Sequence, residues 1–279
     1  MSVHPYLGID HVVVRSAIAE PLYDLLHKRL GLPVIWPLQI APFATYGWIG
    51  LGNTNLEIWA AVDNSDLPAD CSLPLFHQIA LAPRDLHETV ARIETSGLTC
   101  KVPRAFVSKD ARGDAQTNFT NSVVLDLSSD LCCVFICEWG DRAPIAPWTP
   151  GLTPQQRRAE QKTALSVVGG GKLGVIGLSG IELVTTDVQK ATESWRQLSR
   201  SFAEPIEIAK GVHLTLTRGS SDFIQRLTLA VRDLDMARRV LAAEGLLEEG
   251  DSPDELMLSR HATDGLRIRL VEWLLPKSR

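Results

Sequence analysis

A repeated piece of sequence grammar constrains this chain most: a β-branched strand that runs into an amphipathic helix. GIDHVVVRSAIAEPLYDLLHKRLGL carries apolar residues at helical spacing (Ile18, Leu22, Leu25, Leu26, Leu30) and is closed by Gly31. The pattern returns in LFHQIALAPRDLHETVARIETSGL, ending at Gly97, in LSGIELVTTDVQKATESWRQL, and in FIQRLTLAVRDLDMARRVLAAEGL, ending at Gly245. The second and fourth copies share nearly the same joint, ALAPRDL against TLAVRDL. A second landmark, a late strand ending in an acid beside an aromatic, appears as NLEIW, VFICEW and IRLVEW. With shorter strand-like runs such as TYGWIGL and SVVLDL between the landmarks, the unit reads βαβββ. A unit of this kind cannot bury its apolar faces alone, so its copies must pack on one another.

The units fall at about 7–62, 74–140, 178–218 and 222–275, the third being the most eroded. The stretch 141–177 breaks the pattern with Pro144, Pro147, Pro150 and Pro154, a short polar helix candidate (QQRRAEQK) and the run GGGKLG, and it reads as a linker or strap. The expected organisation is an α+β chain with two domains, 1–140 and 178–279, each built from two paired units. A length of 279 residues is ample for two such cores.

Composition narrows the partners. A net charge of -5 gives no support for a polyanionic ligand, so nucleic acid is not expected. No apolar run approaches the roughly 20 residues that span a bilayer, and no secretory leader pattern opens the sequence. Three of the five cysteines (Cys132, Cys133, Cys137) crowd into LCCVFICEW, where geometry disfavours a disulfide framework, so a reducing, cytoplasmic setting is expected.

The arrangement of units resembles the vicinal oxygen chelate superfamily, which includes glyoxalase I, methylmalonyl-CoA epimerase, fosfomycin-resistance proteins and extradiol dioxygenases. There, paired βαβββ modules curl into an incomplete barrel around a metal whose ligands come from the first and last strands of each module. The resemblance covers nearly the whole chain. It implies one divalent ion (Zn, Ni, Co, Fe or Mn) held by His11 and His77 from the first strands and by Glu57 and Glu138 from the last ones. Strand alternation agrees, since it puts Ile9, His11 and Val13 on one face and Asn55, Glu57 and Trp59 on one side of their strand. A His and a Glu in apolar strands are costly to bury alone, and a cation would satisfy both.

The second half serves as an internal control. Aligned on the helices, Leu183 falls where His11 stands and Gln225 where His77 stands, although Glu272 keeps the last-strand acid. The C-terminal units are therefore expected to form a degenerate domain without metal. His4, His27, His87, His213 and His261 read as surface or packing residues, and Cys137 is expected on the strand face opposite Glu138, buried. GGGKLG lacks the GKS or GKT ending of a phosphate loop, and no Ser-His-Asp elbow is present.

Three functions follow from the resemblance. A glyoxalase-like lyase or isomerase would use Glu138 as base, with Glu57 as second candidate, on a small carbonyl-containing substrate held as a metal-bound enolate. Arg15 matches the arginine four residues past the first ligand of glyoxalase I, whereas Ala61 stands where its asparagine would be; the cleft is expected to be lined by Trp48, Trp59 and Phe119. An extradiol ring-cleaving dioxygenase would need only His11, His77 and Glu138, but its acid-base histidine and its tyrosine before the final Glu are missing. A non-catalytic small-molecule binding or resistance protein would need no metal. Four units in one chain could complete a site as a monomer; a homodimer is the other expectation.

Overall fold

The computed structural model describes residues 4–248, 252 and 254–273. The first unit runs β1 (Gly8–Arg15), α1 (Glu20–Asp24), β2 (Val34–Ile40), β3 (Ala44–Gly50) and β4 (Asn55–Ala61). Pro21 at the start of α1 suits a position whose N–H needs no helical partner, and the helix widens into a π-turn over Leu25–Arg29. The second unit repeats the order with β5 (Leu75–Ala82), α2 (Leu86–Thr95), β6 (Arg104–Lys109), β7 (Ala115–Val123) and β8 (Cys133–Trp139). Next comes α3 (Pro154–Val167), which starts in a reciprocal capping box between Thr153 and Gln156.

The third unit has β9 (Val175–Thr185), α4 (Val188–Ser199), β10 (Ile206–Ala209) and β11 (Val212–Arg218), two strands after its helix where three were expected. The fourth has β12 (Phe223–Val231), α5 (Leu234–Glu244), β13 (Leu247–Glu248), β14 (Glu255–Leu258) and β15 (Arg267–Glu272). Helices α2, α4 and α5 each begin at an Asp whose carboxylate accepts from a first-turn N–H, so the joints that look alike in sequence cap alike in structure.

All fifteen strands among the described residues belong to one open sheet. In the first half the order is β2-β3-β4-β1-β5-β8-β7-β6, with β1 and β5 antiparallel at the centre and each parallel to the last strand of its own unit. The second half repeats this around β9 and β12, and the halves touch where Ile224 of β12 pairs with Phe76 of β5. One apolar core runs through both halves, from Val12 and Ile79 to Leu241 and Leu270.

The first half is strongly curled. Strands β2 and β8 lie five strand steps apart, roughly 24 Å across a flat sheet. Yet the rings of Trp36 on β2 and Trp139 on β8 are 5.7 Å apart, so the sheet bends into a trough across which β2 faces β8.

The stretch expected to be a linker is tied down by α3. Arg158 donates from Nη1 to the Ile9 carbonyl at 2.8 Å and from Nη2 to the Asn53 carbonyl at 2.9 Å. A Cβ at position 8 would stand 2.6 Å from that Nη2, which is why a glycine serves there.

A tryptophan-lined trough over Asp10, His11 and Glu57

The floor of the trough is set by an irregularity in β1. The β1–β5 register jumps between Ile9 and His11, so Asp10 is an extra residue and the strand bulges. In a regular strand, neighbouring side chains point to opposite faces. Here the Asp10 Oδ2 lies 2.9 Å from the His11 Nδ1, and both side chains are buried. The backbone freed by the bulge is satisfied from elsewhere: the Asn55 side-chain amide donates to the Asp10 carbonyl at 3.0 Å, and Arg158 holds the Ile9 carbonyl.

Asp10 is the hub of a buried polar set. Its Oδ2 also accepts from the Trp139 indole N–H at 3.1 Å, and its Oδ1 lies 3.5 Å from the Arg157 Nη2. Burial by itself would raise the Asp10 carboxyl. The His11 hydrogen bond, the charges of Arg157 and His11, and the Trp139 hydrogen bond outweigh it and hold the carboxyl well below the ordinary carboxylate range.

On the other side of the imidazole, the His11 Nε2 is 3.4 Å from the Glu57 Oε2. Glu57 is pushed up from the ordinary glutamate value by burial, which the His11 charge offsets only in part. Trp48, the cross-strand partner of Glu57, is buried and leaves its indole N–H without a hydrogen bond of good geometry.

Over this floor four tryptophans are in mutual contact, although they come from β2, β3, β8 and the segment before α3. The ring separations are 5.4 Å for Trp36–Trp48, 5.6 Å for Trp48–Trp139, 5.5 Å for Trp36–Trp148 and 4.9 Å for Trp139–Trp148. Trp48 also lies 4.6 Å from the His11 ring, and Phe135 closes the opposite side at 5.9 Å. The Arg157 guanidinium sits 4.8 Å above Trp148, so the residue that pairs with Asp10 also anchors the cover of the trough. Towards the ends, Trp59 stacks on Tyr46 at 5.2 Å, and Phe119 meets Trp139 edge-on at 5.1 Å. Of the residues expected to line a cleft, Trp48 therefore touches the His11 ring, while Trp59 and Phe119 belong to the flanking aromatic contacts. Sequence reading missed Asp10, Trp36, Trp139, Trp148 and Arg157; only the crowding of tryptophan in this half hinted at three of them.

The structure does not assemble the four metal ligands that the resemblance implies. It brings His11 and Glu57 together and leaves His77 and Glu138 out. In β8, Phe135 and Cys137 face the trough beside Ala80, so Glu138 faces the helices, where its Oε1 accepts from the Leu86 N–H at 2.9 Å at the start of α2. The correction is one of parity. NLEIW separates its acid and aromatic by one residue and puts both on one face, whereas VFICEW makes them neighbours and puts them on opposite faces. Cys137, expected to be buried opposite Glu138, is so placed, and burial pushes its thiol well up.

His77 is the extra residue of a second bulge, opposite the Val13–Val14 step. Its Nε2 is 3.2 Å from the Asp130 carbonyl, its Nδ1 has no hydrogen-bond partner, and its charged neighbours are Arg15 and Asp66. A guanidinium is a poor companion for a second cation. Arg15, expected to touch substrate, is committed to Asp66 at 2.7 and 2.9 Å and to Asn64 at 2.7 Å. Among the described residues no group of three or more His, Cys, Asp or Glu side chains is placed to hold a metal ion.

No family model and no curated protein matches the sequence. Solved structures do match the fold. A mutant of 4-hydroxymandelate synthase from Streptomyces coelicolor superposes with a TM-score of 0.58 at 12% identity, over 96% of this chain and 93% of that one. Homoprotocatechuate 2,3-dioxygenase from Arthrobacter globiformis gives 0.58 at 12%, over 97% and 81%. The same enzyme from Brevibacterium fuscum, in complex with 3,4-dihydroxyphenylacetate, gives 0.57 at 12%, over 97% and 82%. The chain shares the fold of these enzymes. It is mixed α+β with an open sheet, and the polar residues of the candidate site stand on β1 and β4. Among the described residues no helix is long and apolar enough to cross a membrane.

Proposed function

We propose that the chain binds a small, flat and largely apolar molecule in the trough of its first half, with His11 and Glu57 as the polar contacts that orient it. The observation that carries this reading is the set of four tryptophans in mutual contact directly over the His11 ring. Aromatic walls with a few convergent polar groups are the usual make-up of a small-molecule site. Displacement of the outer ring would open a π-face to a planar guest, and such a contact is worth about 0.5–1.5 kcal/mol beyond the area it buries. Trp139 and Trp148 are the partly exposed members of the set, and of these Trp148 comes from the segment before α3 and not from a strand, so it is the ring whose displacement admits a guest.

The glyoxalase-like reading loses its first base, because Glu138 caps α2 instead of facing the trough. A second reading, a metal-dependent oxygenase or lyase centred on His11 and Glu57, is favoured by one observation. Asp10 fixes the His11 Nδ1 and leaves its Nε2 towards Glu57, the manner in which metal-bound imidazoles are oriented. In that case the ion would supply Lewis acidity, and the chain's own part would be to orient the imidazole and to exclude water with the tryptophans.

Tryptophan fluorescence tests the first reading. Four of the seven tryptophans form the contact set over His11, so planar hydroxylated aromatic acids and their neutral analogues should quench or shift emission saturably. Trp148→Ala should change the affinity for the same compounds. Unchanged emission and unchanged thermal stability across such a panel would sink the proposal.

A further inference from the structure

The strand register says more about the metal positions than the repeat in the sequence does. The two central strands are related by an offset of 67 residues, 12 to 79: the pair Val12–Ile79 maps onto itself, and the pair His11–Ala80 maps onto Gln78–Val13. The bulged residues obey the same offset, Asp10 to His77. The outer pairings follow as well, since Val13 beside Glu57 has its counterpart in Ala80 beside Phe135, and His11 beside Asn55 in Gln78 beside Cys133. The counterpart of His11 is therefore Gln78, and that of Glu57 is Phe135.

An ion between two such units would be held by equivalent positions from each. In the first unit those positions carry an imidazole and a carboxylate. In the second they carry a neutral amide, a weak ligand for transition metals, and a phenyl ring, which is none. The Phe135 ring reaches to 5.9 Å from the His11 ring and Trp48 to 4.6 Å, so the space beside the imidazole is walled by rings where a second carboxylate would be needed.

We infer that the second unit has given up both of its metal-ligand positions, to Gln78 and Phe135, and that the trough of this chain does not retain a divalent transition-metal ion. The site is half of a metal site, with its vacated half converted to apolar wall. This inference stands apart from the ligand-binding reading, because metal content and ligand affinity are separate measurements that can fail separately.

The test is metal analysis of the purified full chain, followed by titration with Co2+ and detection by its visible absorption. The expected result is no stoichiometric metal and no saturable cobalt spectrum for the wild type. The double variant Gln78→His, Phe135→Glu should take up one equivalent of cobalt with a new visible band, and His11→Ala in that background should abolish it. Where the double variant fails to fold by circular dichroism, the single variant Gln78→His, which completes a three-donor set with His11 and Glu57, takes its place. A wild-type protein holding one tightly bound divalent ion that His11→Ala releases would overturn the inference. So would a folded double variant that takes up no cobalt.

Discussion

Asp10 and His11 are chain neighbours whose side chains meet, carboxylate to imidazole at 2.9 Å, on one face of a bulged strand. Everything polar in the trough depends on this relationship. Asp10 also binds Trp139 and pairs with Arg157, while His11 faces Glu57.

Removing Asp10 should be severe. Asp10→Ala leaves Arg157 buried without its carboxylate and strips an acceptor from His11 and Trp139. Breaking a buried pair in this way costs about 3–5 kcal/mol, which urea denaturation measures. Because the folded-state value of Asp10 is depressed, the carboxylate contributes stability above its ordinary range, and that contribution is lost as the pH falls through the acid region. Asp10→Asn should lack that part of the acid dependence.

Glu57 has the opposite sign. Its folded-state value is raised, so the folded protein holds the proton more tightly than the unfolded chain does. Its ionised form therefore costs stability once the pH has risen through the folded-state value, and costs nothing below the ordinary glutamate range. Glu57→Gln should be more stable than wild type at neutral pH, and the advantage should vanish on acidification. A variant less stable at neutral pH would contradict the placement of Glu57 among buried groups.

For Glu138 the expectation is structural. Its carboxylate satisfies the Leu86 N–H at the start of α2, so Glu138→Ala should cost about 1 kcal/mol, the usual value of a lost cap, with tryptophan emission and ligand response unchanged. Loss of the ligand response with an intact fold would return Glu138 to the site.

Arg15 should act at a distance from any ligand. Its guanidinium ties the start of the loop after β4 to β1 through Asp66 and Asn64. Arg15→Met should cost about 1.5–3 kcal/mol, the range for hydrogen bonds to charged groups, and speed limited proteolysis between residues 62 and 74.

The architecture was legible because it is written in periodicity. Strand-to-helix joints with an Asp cap recur at Asp85, Asp187 and Asp233, and three of the four expected units have their full complement of strands. The presence of His11 and Glu57 in the first and last strands of one unit was legible too; that their side chains meet was not, because β1 breaks its alternation at Asp10. The missing strand of the third unit and the anchoring of α3 were not, as both depend on contacts with other units.

The sequence by itself determined that first strands would carry His11 and His77 and that last strands would carry Glu57 and Glu138. Only the tertiary structure decided which faces they took. A strand has a side-chain period of two, so one inserted residue reverses the orientation of everything beyond it, and similarity between short motifs does not record that parity. The bulges at Asp10 and His77 and the odd spacing in VFICEW therefore turned a four-residue set into a two-residue one, with Gln78 and Phe135 at the remaining positions. The tryptophan cover was likewise decided in three dimensions, because rings far apart in the chain meet only when the sheet curls.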